Sequence, residues 1–168
     1  FKLDTTTKEL DLVKLISNLN DDNSFHGILV QLPLPSQISP KTIIHSISPQ
    51  KDVDGFHPEN AGLLSIGKPR FIPCTPKGIM RILEYYEISL DGKHVVVLGR
   101  SNIVGRPISI LTSLKSKLSN ATTTICHSGT KDIEQYTKNA DVIIAALGIP
   151  KFLNNSMIKS GSIIIDVG

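Results

Sequence analysis

The sequence predicts an α/β fold in two lobes, on three observations. Short apolar, β-branched runs such as Val95-Val96-Val97 and Ile163-Ile164-Ile165 alternate with segments of helical apolar spacing, the pattern of parallel strands joined by crossover helices. The run His94-Val95-Val96-Val97-Leu98 stops at Gly99 and gives way to a helix-compatible segment with a second glycine, Gly105, near its start. A helical segment ending near Ser89 is followed by the turn Leu90-Asp91-Gly92-Lys93, which sets the expected lobes at residues 1–89 and 90–168.

In the first lobe, Glu9 to Asn20 carries apolar residues at helical spacing after Thr5-Thr6-Thr7, a stretch able to cap a helix. Gly27-Ile28-Leu29-Val30-Gln31-Leu32 reads as a buried strand that Pro33-Leu34-Pro35 cannot continue, because proline offers no N–H to a ladder. Gln31 is therefore a polar residue at the carboxyl end of an apolar strand. In open α/β sheets that edge holds ligands; a glutamine satisfied by loop backbone is the other reading. Ser39-Pro40 caps and starts a short helix through Ile47.

The segment Lys51-Asp52-Val53-Asp54-Gly55-Phe56-His57 then places two carboxylates around one valine. They fit a turn that uses aspartate side chains on its own backbone. They also fit part of a Mg²⁺ site, although too few oxygen ligands are in view. A third reading turns one aspartate inward to accept hydrogen bonds from an amino-substituted heterocycle. Phe71 to Pro76 is extended and kinked, with Thr75 capping a helix that begins at Pro76 and presents Ile79, Ile82, Leu83 and Tyr86.

In the second lobe, Gly99 permits a turn that a Cβ would obstruct, and Gly105 lets the helix lie close to its strand. The amides of the first helical turn would then face an anion. Ser101 stands where the usual G-x-G-x-x-G fingerprint has its second glycine, and the spacing to Gly105 is one longer. An ordinary strand-to-helix turn without a ligand remains the alternative. The helix is expected to run to Leu118, with strands at 121–126, 140–146 and 162–167 and short helical segments at 132–136 and 155–161. This β-α-β-α-β-β order is a Rossmann-like parallel sheet short of six strands.

The end of the strand at 121–126 bears on the cofactor. A carboxylate there serves ribose hydroxyls in NAD-preferring folds. Here His127-Ser128-Gly129-Thr130 follows instead, and Ser128, His127 and Arg100 supply donors and positive charge suited to a 2′-phosphate. The chemistry favours NADP over NAD.

Composition narrows the remaining classes. A net charge of +3 without an aromatic-interleaved basic patch gives a nucleic-acid partner little support. No apolar run approaches the roughly 20 residues of a membrane span. Cys74 and Cys126 form no C-x-x-C, and the five histidines show no H-E-x-x-H, so neither a disulfide framework nor a catalytic metal is expected and a reducing, cytoplasmic setting fits, an organelle not excluded. The chain begins without methionine and stops at the end of a strand, so both ends are expected to be cut.

Five stretches together resemble one family: Gly27 to Pro35, Lys51 to His57, Phe71-Ile72-Pro73-Cys74-Thr75-Pro76-Lys77-Gly78, Gly99-Arg100-Ser101 through Val104-Gly105-Arg106-Pro107, and Ile165-Asp166-Val167-Gly168. They are similar, in order, to motifs of the bifunctional methylenetetrahydrofolate dehydrogenase/methenyltetrahydrofolate cyclohydrolases, known in bacteria as FolD. The resemblance implies NADP-dependent oxidation of 5,10-methylenetetrahydrofolate to the methenyl cation, then hydrolysis to 10-formyltetrahydrofolate, in one-carbon metabolism that feeds purine biosynthesis. It makes residues 1–89 part of the folate-binding catalytic domain and 90–168 a truncated NADP-binding domain.

Residue by residue, the resemblance gives Gln31 the role of positioning an active-site lysine and Asp54 that of holding the pterin-like ring. Gly99, Arg100, Ser101 and Ser128 match cofactor contacts. The family's Tyr-x-x-x-Lys tetrad has no counterpart, since Tyr85 and Tyr86 have no lysine four positions on. The chain is thus expected to be a central part of such an enzyme, impaired by truncation, and a homodimer by resemblance. Two alternatives stand beside this: another NADP-linked two-lobe dehydrogenase, or a nucleotide-binding module without catalysis.

Overall fold

The computed structural model describes residues 1–168, which form two compact units, Phe1–Ile72 and Pro73–Gly168. The division falls after Ile72, not after Ser89 as the turn at Leu90 suggests. The cause is α4 (Cys74–Tyr85), an amphipathic helix that packs against α5 (Gly105–Ser113) and buries Ile79 and Leu83 in the second unit.

The first unit is mostly helical. α1 (Glu9–Asp21) buries Leu12 and Ile16 on one face, and they join Ile28, Ile38, Ile43 and Ile47 in a single cluster. Its N-cap is Lys8, without a side-chain cap. The threonines expected to cap it are engaged elsewhere: Thr6 donates through its amide and hydroxyl to Asp4 Oδ1. The C-terminus of α1 is closed by Lys51, whose ammonium donates to the carbonyls of Leu19, Asn20 and Asp22 at 2.7–2.8 Å. The first two are carbonyls that a helix end leaves without partners, and the third, just past the helix, also accepts from the Phe25 amide. α2 (Pro40–Ser46) starts as expected, with the Ser39 hydroxyl accepting from the Thr42 amide.

Two features of this unit depart from expectation. Gly27 to Leu32 is extended but forms no ladder: one parallel bridge, Ile28 to Asp52, is its only pairing, and Leu29 is 56% exposed. The partner segment turns away after that bridge, Gly55 taking φ +68° and donating to the Asp52 carbonyl, so pairing cannot propagate. A further helix, α3 (Pro58–Ser65), follows, capped by His57, whose Nδ1 accepts from the Glu59 amide.

The second unit is a four-stranded parallel sheet in the order β2-β1-β3-β4, formed by β1 (His94–Leu98), β2 (Thr122–Cys126), β3 (Val142–Ala145) and β4 (Ile163–Asp166). The central strands are continuous apolar runs covered on both faces: Val95, Val96, Val97 and Leu98 of β1 and Val142, Ile143 and Ile144 of β3 are fully buried. α5 stops at Ser113, five residues short of expectation, where the chain folds back over its end. The Ala121 amide bonds the Thr112 carbonyl and the Asn120 amide that of Leu114, delivering the chain into β2. α6 (Ile133–Thr137) and a 3-10 turn at Asn155–Met157 complete the connections.

Candidate functional site

Parallel sheets bind ligands where the strand order reverses, outside the carboxyl ends of the strands. Here the chain passes from β1 outward to β2 and then returns to β3 on the other side, so the crevice lies between the ends of β1 and β3. Gly99 sits there at φ +116°, and a Cβ on it would collide with the Ala146 carbonyl oxygen. A Cβ on Gly105 would collide with the Gly99 carbonyl and approach Arg100 Cα to 2.8 Å. Both glycines are therefore required by close approach of main chain to main chain, as the turn's spacing predicts.

The helix start is not a bare ring of donors. The Ser101 hydroxyl accepts from the amides of Val104 (3.1 Å) and Gly105 (3.4 Å), and the Ser101 carbonyl accepts from that of Arg106 (3.0 Å). Ser101 is thus engaged as a cap that no glycine could supply. The expectation that the first helical turn as a whole faces an anion is corrected accordingly: the unspent donors are the amides of Arg100, Ser101, Asn102 and Ile103, in the turn before the helix.

Pairing of Leu98 with Cys126, and donation from the Gly99 amide to the Cys126 carbonyl (2.8 Å), bring Arg100 to the same sheet edge as His127 and Ser128. Arg100, Arg106 and His127 line one open groove; neither arginine has a carboxylate within ion-pair distance, and Ser128 does not line the groove. His127 Nδ1 is occupied as an acceptor from the Gly129 amide. A second cleft, which the sequence reading did not single out, lies at the ends of β3 and β4 between Ala145, Gly148, Ile149, Phe152, Asp166 and Gly168. Its signal was the turn Leu147-Gly148-Ile149-Pro150 at the carboxyl end of a central strand.

In the first unit the two aspartates have separate jobs. Asp52 is 3% exposed, and one of its oxygens, Oδ2, accepts from the His57 amide and from Asn60 Nδ2, both at 2.8 Å. Asp52 is the turn-building residue. Asp54 is half-buried and its carboxylate accepts no hydrogen bond from the chain. Burial first, and the neighbouring Asp52 charge second, push Asp54 above the ordinary carboxylate value. Gln31 is exposed, with Nε2 donating to the Leu32 carbonyl at 3.0 Å, which leaves Oε1 free to accept. Since the bridge at Ile28 and Asp52 is parallel, Gln31 and Asp54 both lie beyond it on the carboxyl side. No group of three or more histidine, cysteine or acidic side chains converges on a metal position, and no helix is long and apolar enough to cross a membrane.

An all-parallel sheet with a glycine-built turn at its switch point defines an α/β protein of the dinucleotide-binding class. Residues 73–168 match the tetrahydrofolate dehydrogenase/cyclohydrolase NAD(P)-binding domain, and residues 1–54 match the catalytic domain of the same family. The chain belongs to the tetrahydrofolate dehydrogenase/cyclohydrolase family. It is 52% identical over 166 residues to the bifunctional protein FolD 2 of Geobacter metallireducens, covering 99% of this chain and 57% of that protein. The crystal structure of the bifunctional FolD enzyme of Campylobacter jejuni superposes with a TM-score of 0.93 at 48% identity, over 99% of this chain and 58% of that one. The Trypanosoma brucei FolD, solved with NADP cofactor and an inhibitor, gives 0.89 at 35% identity, over 98% and 55%. The chain thus spans little more than half the length of these relatives.

Proposed function

We propose that the protein containing this chain is an NADP-dependent methylenetetrahydrofolate dehydrogenase and methenyltetrahydrofolate cyclohydrolase of one-carbon metabolism, producing 10-formyltetrahydrofolate for uses such as purine biosynthesis. The observation that carries this reading is the succession, in one chain, of the family's catalytic and NAD(P)-binding domains. A folate-binding role for the first unit gives Asp54 and Gln31 work that no bond inside the chain supplies.

Bound NADP supplies the hydride acceptor. Gly99 and Gly105 bring the main chain close enough for a pyrophosphate, with the Asn102 and Ile103 amides as donors. Arg100, unpaired just past β1 at the sheet edge shared with the acid-free end of β2, would hold the 2′-phosphate, with Ser128 a further candidate donor outside the groove that Arg100 lines, and Ser101 shapes the turn. Asp54 accepts hydrogen bonds from the amino-substituted ring of the folate, and its two unspent oxygens suit that geometry. Gln31 accepts at Oε1 from the ammonium of the lysine that the family uses to organise proton transfers. That lysine is not among these 168 residues, so the stretch alone is expected to lack cyclohydrolase activity and to retain little dehydrogenase activity.

The protein is proposed to be a cytoplasmic homodimer, without nucleic-acid or membrane partners. The test is a spectrophotometric assay of the full-length protein that contains this chain with 5,10-methylenetetrahydrofolate. NADP-dependent formation of the methenyl product and its hydrolysis support the reading; NADP binding without turnover of any tetrahydrofolate favours a non-catalytic nucleotide-binding module.

A further inference from the structure

Asp54 has no hydrogen bond of its own, so its position is set by what anchors the turn on either side. On one side Gly55 donates to the Asp52 carbonyl at 3.1 Å. On the other the Asp52 side chain is held by Asn60, which is completely buried. Asn60 uses its whole amide: Nδ2 donates to the Pro49 carbonyl and to Asp52 Oδ2, each at 2.8 Å, and Oδ1 accepts from Arg70 Nη1 at 2.8 Å. Arg70 is steadied in turn by Glu59, 2.8 Å away.

This chain of bonds has a direction. A guanidinium only donates, so Arg70 binds the Asn60 oxygen and reinforces the orientation in which the amide nitrogen meets the Pro49 carbonyl and the Asp52 carboxylate. Without Arg70 the buried Asn60 Oδ1 is left without its donor, and only the two bonds from Nδ2, to Pro49 and Asp52, hold the side chain. Asp52 touches no cation, and a buried carboxylate relies on such donors. Arg70 therefore reaches the turn through two intermediaries.

We propose that Arg70 and Asn60 are positioning residues that, through Asp52, orient the Asp54 carboxylate toward the folate ring. This rests on the reading of Asp54 as the ring-binding residue.

The test is steady-state kinetics on the full-length protein that contains this chain, with Arg70→Ala, Arg70→Lys and Asp54→Ala, beside thermal unfolding of each. Arg70 is partly exposed, so its removal is compatible with folding. Arg70→Ala is expected to raise the KM for the folate substrate about tenfold, with the KM for NADP unchanged. Arg70→Lys, which keeps one donor for Asn60 Oδ1, is expected to recover most of that loss. A lowered apparent kcat with both KM values unchanged, in step with the folded fraction, would show a purely structural clamp and overturn the proposal. An elevated folate KM in Asp54→Ala but not in Arg70→Ala removes the relay and leaves the reading of Asp54 standing. An unaltered KM in Asp54→Ala removes both.

Discussion

At the switch point of the second unit the residues that shape the site are main chain: Gly99 against the Ala146 carbonyl, Gly105 against Gly99, and amides left open before α5. Around Asp54 in the first unit the same work falls to side chains, with Asp52, Asn60 and Arg70 bonded in series and Lys51 closing the end of α1. The contrast follows from the architecture. A parallel sheet delivers strand ends in register, so a turn between them needs only the right φ and room. The first unit has no ladder around residues 27–32, and without one each segment must be fastened individually.

Substitution of a glycine in the second unit tests the main-chain half of this contrast and should have the largest effect. Gly99→Ala meets both a left-handed φ and backbone that cannot move aside, and is expected to cost about 3 kcal/mol, lowering the thermal midpoint by more than about 10 °C. A midpoint within about 2 °C of the parent would mean that the turn tolerates a side chain. The side-chain half is tested by Lys51→Met, which keeps the apolar stem but removes the ammonium from the end of α1. The Leu19 and Asn20 carbonyls lose their donor outright, whereas that of Asp22 keeps the Phe25 amide; about 2 kcal/mol is expected in denaturant unfolding, and no loss would show that water replaces the ammonium at no cost.

Arg100 is the side chain proposed to set the cofactor choice of the second unit. Arg100→Ala is expected to weaken NADP binding about tenfold, or about 1.4 kcal/mol, while NAD binding changes little. Calorimetric titration of both nucleotides decides it. Equal weakening of both would place Arg100 on a group the two share and return the 2′-phosphate to Ser128.

The same contrast explains what was legible in the sequence. β1, its glycine turn and the succession of four strands along the chain were readable because each depends on local composition: a β-branched run, a glycine at the strand end, periodicity thereafter. α2 was readable from Ser39-Pro40. α3 was not, since its cap is a histidine nitrogen, a rare substitute for serine or aspartate, on an eight-residue helix containing Gly62. Nor did spacing reveal which of Asp52 and Asp54 builds the turn: that depends on Asn60 and Arg70, whose spacing in the chain gives no local pattern to read. The Gly27–Leu32 segment has the composition of a strand, but a ladder needs a neighbour, and composition does not report one.

The smallest expected effect isolates the charge on Asp54 from its geometry. Because burial and then Asp52 raise its pKa above 3.8, the folded state holds a proton there more tightly than the unfolded chain. The stabilisation from the neutral form is complete below about pH 3.8 and is lost as pH rises through the folded pKa, so the ionised group is a net cost at neutral pH. Asp54→Asn, uncharged throughout, should therefore melt slightly above the parent at pH 7, with the gap closing as pH falls toward 3.8. Thermal midpoints by circular dichroism across that range measure the gap. One that persists unchanged into acid would trace the effect to shape and not to charge. Asp52→Asn sharpens the comparison, because a single oxygen of residue 52 accepts both of its hydrogen bonds and an asparagine can keep them while dropping the charge. In that background the Asp54→Asn gap at neutral pH should shrink without vanishing, since burial, the larger cause, remains.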